Sequence, residues 1–511
     1  MTPSRTRSWW GWGFEDAQST GVDIAAAAPA IVATLGFGST EVEDPVALAS
    51  VALPGPRVPI PAGLAGFCTD AVAQRVTHAR GSSYLDAVRA LRGQIDHPPD
   101  VVAHPRGEDD VERVLEWAVG AGAAVIAFGG GTSVVGGVEP RVPASYAATV
   151  SLDLGALDAL HEVDAVSRSA RIGAGAAGPR LEAQLAEHGL TLRFYPQSFE
   201  LSTLGGWIAT RAGGHFAMGA THIDDLVESV RALTPAGPWE SRRLPGILGV
   251  ITEAWVRVQP KPAHRASRGV RFASFLQGAQ AVRELSQSGL APANCRLVDP
   301  LEAQQTGAGD GSHALLVLGF ESTDHDVSDA LARGLAICRG QGGKWDVPAA
   351  GSGSGSGGSV GAWREAFLRM PYLRDMLMRM GVLSDTFETA ITWERFPAFH
   401  EQVSGAVREA LGEPCRVSCR FTHVYPDGPA PYYTVIAPAR RGDEVAQWHE
   451  MKQAAGDAII AAGGTITHHH AVGRDHRPWY DQQRPDAFAA ALRGAKAAVD
   501  PAGILNPGVL V

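Results

Sequence analysis

The sequence predicts an α+β protein made of two successive α+β units followed by a C-terminal helical segment. Three observations support this fold class: strand-like and helix-like patterns alternate from Pro99 onward, Gly-rich turns interrupt the first unit, and a new strand and helix pattern starts near Pro260. The 511 residues are 45% hydrophobic, which is enough for two or three cores. Because the 60 glycines and 33 prolines follow no repeating period, they indicate loop-rich structure.

Composition excludes several functional classes. The net charge of −10 argues against a nucleic-acid-binding surface. The basic residues Arg5 and Arg7 are not followed by the long apolar core of a secretion signal, and the Ala-rich stretch from Ile24 to Phe37 is short for a membrane span. Five scattered cysteines form no disulfide framework, and the CRVSC run (415–419) lacks the second ligand pair of a zinc site. We therefore expect a reducing, cytoplasmic location and no metal.

The N-terminal segment, residues 1–95, begins with the aromatic run RSWWGWGFED and continues through a proline-rich stretch. Trp9, Trp10 and Trp12 cluster around a glycine, and we interpret them as an aromatic anchor that packs on a later domain. The prolines between Pro54 and Pro61 predict an extended, irregular chain.

The first α+β unit, residues 96–260, opens with the strand VVAH and the helix GEDDVERVLEWAVGAG, whose acidic residues favour a helix N-terminus. The next strand breaks into the Gly-rich turn AVIAFGGGTSVVGG (124–137). Three glycines without Cβ atoms let backbone N–H groups approach an anion, and the hydroxyls of Thr132 and Ser133 add donors. The run fits neither a Walker loop nor GxGxxG, so by itself it predicts either a pyrophosphate cradle or a tight turn.

Two further glycine and hydroxyl stretches follow in the same unit. The stretch YPQSFELSTLGGWIATRAGG (195–214) places hydroxyls around Gly205 and Gly206, either to admit a flat or charged ligand or to cap a helix. The stretch LPGILGVITEAWVRV (244–258) ends in a strand preceded by glycines. SLDL and SARIGAGA read as strands, and GPRLEAQLAEHGL predicts a helix that Pro179 begins and Gly189 ends.

The second unit, residues 261–465, alternates strands and helices and contains the Gly/Ser run 351–359. So regular a run has the composition of a mobile linker. The C-terminal segment, residues 466–511, contains TITHHHAVGRDH and then a helix closed by DPAGILNPG.

Several polar side chains of the second half are candidates for chemistry. His468, His469 and His470 alternate between faces in an extended run, so they cannot easily share one metal, and they suit either proton transfer and oxyanion binding or a polar surface loop. Arg296 lies within a predicted strand, where a permanent charge is costly unless an anion or an electron-rich ring meets it. Tyr432 is either a core residue or an acid–base group. Arg374 is either an anion ligand or a helix-surface charge beside Asp375.

The three glycine and hydroxyl stretches together resemble the FAD-binding domain of the vanillyl-alcohol-oxidase, or PCMH-type, flavoprotein superfamily. The resemblance implies two small α+β subdomains around FAD, followed by a ferredoxin-like α+β cap. It also implies noncovalent FAD, because no histidine stands in the Gly loop where relatives with covalent flavin carry one. The implied cofactor-binding residues are Ala127, Phe128, Gly129, Gly130, Gly131, Thr132, Ser133, Val134, Gln197, Ser198, Ser202, Thr203, Gly205, Gly206, Thr210, Arg211, Ala212, Gly249, Val250 and Ile251.

The C-terminal half is similar to the alkyldihydroxyacetonephosphate synthase family, through APANCRLVD, PYLRD, DTFETAITWERF, CRFTHVYPDGPAPYYTV and GGTITHHHAVG, in that order. RSWWGWGFED also matches that family's N-terminal segment. The resemblance assigns Arg296 to the flavin, Arg374 to the substrate phosphate, Tyr432 to acid–base catalysis and the run 468–470 to the active site. We further expect the pKa of the Tyr432 phenol to be lowered by a nearby cation or histidines.

The implied activity is exchange of the acyl chain of acyl-dihydroxyacetone phosphate for a long-chain alcohol, through a flavin N5 adduct and without net redox. The partners would be a small lipid substrate, with peripheral membrane contact and a homodimer as further options. One departure is the short segment Leu244-Pro245-Gly246-Ile247, which replaces a longer family loop and puts the adenine-side contacts in doubt. The alternatives are an FAD-dependent 2-hydroxyacid dehydrogenase or alcohol oxidase of the same fold, and a flavin-free binding protein.

Overall fold

The computed structural model describes residues 5–242, 248–346 and 359–510. The predicted turn at Leu244-Pro245-Gly246-Ile247 and the Gly/Ser run up to residue 358 therefore lie outside the described residues. Among the helices that are described, none combines the length and apolarity required to cross a bilayer.

The N-terminal segment wraps both later units. It contains α1 (Gly21–Leu35), β1 (Cys68–Thr69), α2 (Val72–Thr77) and α3 (Tyr84–Leu91). The Thr20 side chain and Asp23 form a reciprocal capping box that begins α1. Trp9 and Trp10 are buried in the same hydrophobic cluster as the core of the second unit.

The first sheet is formed by β2 (Val101–Ala103), β3 (Ala123–Phe128) and β4 (Ala148–Asp153), with α4 (Glu108–Ala121) between β2 and β3. These three strands are parallel in the order β2-β4-β3, and β1 adds an antiparallel edge. Three acidic residues in the first turn of α4 complement its N-terminal dipole. The C-terminal tail returns to this unit, because the Val125 N–H donates to the Ile504 carbonyl at 2.8 Å.

The second part of the first unit contains β5 (Leu160–Asp164), β6 (Ser169–Gly173), α5 (Gly178–Ala186), β7 (Leu190–Thr191), α6 (Leu204–Thr210), β8 (Val227–Thr234), β9 (Gly237–Arg242), β10 (Val250–Arg257) and β11 (Gln259–Pro260). Five of the strands form an antiparallel sheet in the order β5-β6-β10-β8-β9, and β11 pairs with β7. The helix α6 carries part of the second glycine stretch, and Thr203 caps it by accepting from the Gly206 N–H.

The second unit contains β12 (His264–Phe272), α7 (Phe275–Gln287), β13 (Asn294–Val298), α8 (Pro300–Gln305), β14 (Ala314–Ser322), α9 (Ser328–Gly340), α10 (Ser359–Arg379), β15 (Val382–Glu388), α11 (Phe396–Leu411), β16 (Arg416–Val424), β17 (Pro429–Pro438) and α12 (Glu444–Ala461). Its strands form a six-stranded antiparallel sheet in the order β12-β14-β13-β16-β17-β15, with helices against the apolar face. The C-terminal segment adds α13 (Arg477–Gln483) and α14 (Asp486–Val499).

Strand register places the site on the face of this sheet that α7 and α11 do not cover. Tyr432 on β17 pairs with Arg420 on β16 and with Glu388 on β15, so these three residues form one row across the sheet. Successive side chains alternate between faces, and Tyr433 accordingly belongs to the apolar core on the other side. Because side chains of β17 alternate between the two faces of the sheet, Tyr432 faces the candidate site and its neighbour Tyr433 belongs to the core.

Candidate active site

A cavity of about 290 Å³ lies between the Gly-rich loops of the first unit and the polar sheet face of the second. The first unit contributes residues 129–134 and parts of 196–214, and the second contributes β13, α10, β15, β16 and β17. The predicted residues that line it are Gly129, Gly130, Gly131, Thr132, Ser133, Val134, Gln197, Ser198, Ser202, Thr203, Gly206, Thr210, Ala212, Arg296, Arg374, Tyr432, His469 and His470.

The other predicted residues occupy different places. Phe128 ends β3 with its ring 4.4 Å from that of His78, and Arg211 forms an ion pair with Asp224. Gly205 packs tightly on Ala174. In the described part of the chain, the predicted residues that do not contribute to the cavity wall are Ala127, Phe128, Gly205, Arg211, Gly249, Val250, Ile251 and His468.

The Gly-rich loop touches the second glycine stretch backbone to backbone. A Cβ atom at Gly130 would lie 2.0 Å from the Leu201 carbonyl oxygen, and Gly131 has a φ of +64°. Side chains are thus excluded where the two stretches meet, and the cavity wall is backbone there. A wall without side chains lets the backbone approach a ligand closely, which fits the pyrophosphate of FAD.

Arg296 on β13 is almost fully buried, with 1% of its surface exposed. Its guanidinium donates to the His215 carbonyl oxygen at 2.8 Å and faces the cavity. Burial, together with repulsion from Arg420, lowers the pKa of Arg296 to about 9. A buried cation held at the cavity wall fits an electron-rich ring or an anion placed there.

Tyr432 is held from two sides. Its hydroxyl hydrogen-bonds with the Thr386 hydroxyl at 2.9 Å, and the Arg420 guanidinium lies over its ring at 3.9 Å. Arg420 is itself buried and pairs with Glu302 at 2.7 Å. Burial raises the pKa of the Tyr432 phenol, and Arg420 and Thr386 offset that only in part. The predicted lowering of this pKa is therefore wrong, because desolvation of the phenolate outweighs the nearby cation.

The histidine run is divided between the cavity and the space behind it. The His469 ring stacks on Tyr432 with ring centres 6.0 Å apart, and His470 meets Tyr432 edge-on at 5.4 Å. His468 turns away and hydrogen-bonds with the Tyr425 hydroxyl at 2.9 Å and with His222 at 3.2 Å. The expected alternation between faces is therefore wrong, because the chain bends at 468–470 and the neighbours His469 and His470 both contact Tyr432.

One group of histidines has metal-ligand spacing among the described residues. Ring nitrogens of His423, His468 and His469 lie within 4.8 Å of one another. Imidazole nitrogens are common zinc ligands, so this trio could hold a cation. The sequence predicted no metal because the third partner, His423, lies 45 residues before His468 and is brought close only by the fold.

Arg374 on α10 faces the cavity while anchored from behind. It pairs with Asp375 at 2.7 Å and donates to the Ser82 carbonyl at 2.6 Å. Only 14% of the Arg374 side chain is exposed, so it is not an ordinary surface charge. Asp375 also accepts from the Trp12 N–H, which links the aromatic N-terminal run to this arginine.

The same cavity has an apolar side. Its wall includes Trp12 and apolar side chains on α10 and β17. These residues are Met370, Pro371, Leu373, Leu377 and Ile436. The cavity thus combines the guanidinium groups of Arg296, Arg374 and Arg420 and the Tyr432 phenol with a surface suited to a hydrocarbon chain.

Sequence reasoning missed several residues of this site: Arg420, His423, Asp385, Thr386 and Glu388. A usable signal existed for Arg420 and for Thr422, because both alternate with apolar residues in the strand CRFTHV. Glu388 had none, because its importance comes from contacts with residues 467–470, about 80 positions away.

Two family descriptions match the chain. Residues 99–241 match an FAD binding domain, and residues 261–510 match the C-terminal domain of FAD linked oxidases. A solved structure of alkyldihydroxyacetonephosphate synthase superposes with a TM-score of 0.81 at 23% identity, covering 98% of this chain and 97% of that one. A 4-ethylphenol oxidase from Gulosibacter chungangensis gives 0.64 at 13% identity, covering 87% of this chain and 94% of that one. These superpositions confirm the predicted fold class.

Curated relatives are similar in sequence as well. The alkyldihydroxyacetonephosphate synthase of Dictyostelium discoideum is 28% identical over 489 residues, and that of Trypanosoma brucei brucei is 29% identical over 481 residues. Each match covers 86% of this chain and 77% of the relative. The glycolate oxidase subunit GlcD of Bacillus subtilis is 23% identical over 440 residues, covering 81% of this chain and 89% of that subunit. The chain is therefore a homologue of the alkyldihydroxyacetonephosphate synthases that carries an FAD binding domain and the C-terminal domain found in FAD linked oxidases, with FAD as its cofactor.

Proposed function

We propose that this protein exchanges the acyl chain of acyl-dihydroxyacetone phosphate for a long-chain alcohol, releasing a fatty acid. One observation carries the proposal: Arg374, Tyr432 and the apolar wall of α10 line one cavity that also faces the Gly-rich loop. A phosphorylated headgroup, a ketone and a hydrocarbon chain each find a matching surface there. We further infer that residues 96–260 hold FAD, and that 261–465 together with the start of 466–511 cover the substrate.

The guanidinium of Arg374 would bind the substrate phosphate. Its ion pair with Asp375 and its bond to the Ser82 carbonyl fix its orientation before substrate arrives. A preoriented guanidinium can donate two parallel hydrogen bonds to phosphate oxygens. Burial of this arginine strengthens its attraction to a dianion, because little water screens it.

Tyr432 would move the proton next to the substrate carbonyl. Its raised pKa means that the hydroxyl keeps its proton at neutral pH in the unliganded site, so ionisation must be assisted by Arg420 and the Thr386 hydroxyl. His469 and His470 lie against its ring and can pass the proton onward.

FAD, when bound, supplies an electron-rich ring able to add to carbon and depart again without net redox. Arg296 would lie against that ring and stabilise negative charge on it. The apolar residues of α10 would exclude water, so that an alcohol rather than water meets the activated carbon. An acyl ester and an alcohol thereby become an alkyl ether and a fatty acid, so atoms and electrons balance.

The decisive test uses purified holoprotein, acyl-dihydroxyacetone phosphate and hexadecanol under anaerobic conditions, with products followed by mass spectrometry. We expect alkyl-dihydroxyacetone phosphate and free fatty acid in equal amounts without any electron acceptor. The dehydrogenase alternative predicts no ether product, and instead reduction of an added dye by a 2-hydroxyacid. A colourless preparation that does not take up FAD would favour the binding-protein alternative and contradict both enzymes.

Membrane contact, a homodimer and a cytoplasmic location stay predictions. All five cysteines are buried free thiols, which supports a reducing compartment.

A further inference from the structure

Glu388 at the end of β15 is a buried carboxylate, with 1% of its surface exposed. Its oxygens accept a hydrogen bond from the Thr467 hydroxyl at 2.6 Å. They also accept from three successive backbone N–H groups, those of His468 at 2.8 Å, His469 at 3.1 Å and His470 at 2.9 Å. One carboxylate therefore collects four donors from a single four-residue segment.

This contact engages the backbone of all three histidines, and the Nδ1 atom of the His469 ring lies 3.5 Å from the same carboxylate. Successive N–H groups that converge on one anion define a concave turn, so the direction of each side chain is fixed. Burial opposes ionisation of Glu388, but the three histidines and the Thr467 hydroxyl outweigh it and hold the pKa of the carboxyl well below its usual range. The carboxylate is thus charged throughout the physiological range.

Strand pairing connects this carboxylate to the candidate acid–base group. Glu388 lies directly opposite Tyr432 in the register of β15 and β17. The turn that Glu388 holds therefore places the His469 and His470 rings against the same tyrosine. Glu388 and Tyr432 thus belong to one strand pair, in which β15 is the edge strand of the six-stranded sheet and pairs with β17 over seven residues, from Val382 to Glu388.

We propose that Glu388 is the positioning residue that fixes the histidine run against Tyr432. The activity part of this inference rests on the proposed function, and the structural part does not. Other charged or titratable groups that act on the run are Lys452 from α12, His222 from the first unit, and Arg211, Asp385, Arg420 and His423. Glu388 differs from these groups because its carboxylate accepts hydrogen bonds from the backbone N–H groups of all three histidines.

The test is Glu388→Gln in the FAD-loaded protein, because an amide preserves the shape of the side chain and replaces one acceptor oxygen with a donor. Hydrogen exchange measured by mass spectrometry should show faster exchange in a peptide spanning 466–472, with the rest of the chain unchanged. The kcat for acyl exchange should fall at least tenfold, while KM for the phosphorylated substrate changes less than twofold because Arg374 is untouched. An unchanged rate of hydrogen exchange in residues 466–472, together with an unchanged kcat for acyl exchange, would overturn the proposal.

Glu444→Gln is the matched control, since Glu444 is also a buried carboxylate that accepts a backbone N–H, from Gly442, but lies outside the cavity wall among the described residues. It should alter neither the 466–472 peptide nor kcat. If Glu388→Gln does not fold, Glu388→Asp provides the test. This variant keeps the carboxylate, but its side chain is one methylene shorter, so the charge lies farther from the backbone of residues 467–470. In Glu388→Asp, faster hydrogen exchange of residues 466–472 with a lower kcat supports the proposal. Wild-type values of both the hydrogen-exchange rate and kcat refute it. If the wild-type protein shows no acyl exchange, the proposed function is refuted. The hydrogen-exchange measurement on residues 466–472 then still tests the positioning role of Glu388 independently.

Discussion

The guanidinium of Arg420 lies 3.9 Å from the centre of the Tyr432 ring, on the neighbouring strand of the same sheet. Its charge is balanced by Glu302 at 2.7 Å, and both partners are 1% exposed. The pair is therefore a buried cation held at a fixed distance from a buried phenol.

Replacing Arg420 and Glu302 together, as Arg420→Met with Glu302→Gln, should raise the pKa of Tyr432, because the cation that favours the phenolate is removed. The pH at which acyl exchange reaches half its maximum should move upward, since the ionised fraction at neutral pH falls about tenfold whenever the pKa rises by one. The double variant avoids leaving one buried charge unpaired. Glu302→Gln alone is the control. A pH profile that matches the wild type would show that Arg420 does not tune Tyr432.

Tyr432→Phe should abolish exchange while the protein stays yellow. Loss of a positioned acid–base group costs about 100- to 10,000-fold in kcat. Tyr433→Phe is the matched control, because Tyr433 lies on the opposite face of the same strand and its hydroxyl meets His400. Turnover is measured together with flavin absorbance. Wild-type rates in Tyr432→Phe would remove this residue from the mechanism.

Arg374→Ala should weaken binding of the phosphorylated substrate. A hydrogen bond to a charged group contributes about 1.5–3 kcal/mol, so KM should rise roughly 10- to 150-fold. Acyl-dihydroxyacetone without the phosphate should be used with equal efficiency by the wild type and the variant. Steady-state kinetics with the two substrates make the comparison, and an equal effect on both would refute the phosphate role.

Gly130→Ala should lower FAD content. The added Cβ would lie 2.0 Å from the Leu201 carbonyl oxygen, so the two glycine stretches must separate. Overpacking of this kind costs about 1–3 kcal/mol, equivalent to roughly 5- to 150-fold weaker cofactor binding. Gly120→Ala on α4 is the control, because its Cβ would meet nothing within 4 Å. The ratio of flavin to protein absorbance measures the FAD content of each variant. Full FAD occupancy in Gly130→Ala would contradict the prediction.

His400 should make stability depend on pH. It lies among Phe275, Phe396 and Tyr433, and burial lowers the pKa of its imidazole to about 4. In the unfolded chain the imidazole binds a proton near pH 6.5. The contribution of neutral His400 to the free energy of unfolding is therefore fully present above that pH and is lost as the pH falls toward 4.

The wild type should therefore lose about 1–2 kcal/mol more between pH 7.5 and pH 5 than His400→Phe, which cannot titrate. Urea unfolding at the two pH values measures this difference. The exposed substitution His188→Asn should behave like the wild type. Equal pH dependence in His400→Phe would assign the effect to other groups.

Local sequence patterns determined many elements of this protein. The helix 108–121, the strand 123–128 and the Gly-rich turn after it follow from acidic N-terminal residues, an apolar run and the absence of side chains, all of which act over a few positions. The resemblance of whole motifs also located the arginines, the tyrosine and the histidine run. These signals are carried by neighbouring residues, so the sequence alone contains them.

The tertiary structure decided what each candidate meets. It brought Glu388 beneath residues 467–470, placed Arg420 over Tyr432, and moved His468 out of the cavity. It also reversed the expected direction of the Tyr432 pKa, because burial depends on packing between elements far apart in the chain. Strand register and desolvation are properties of the folded assembly, and no short stretch of residues specifies them.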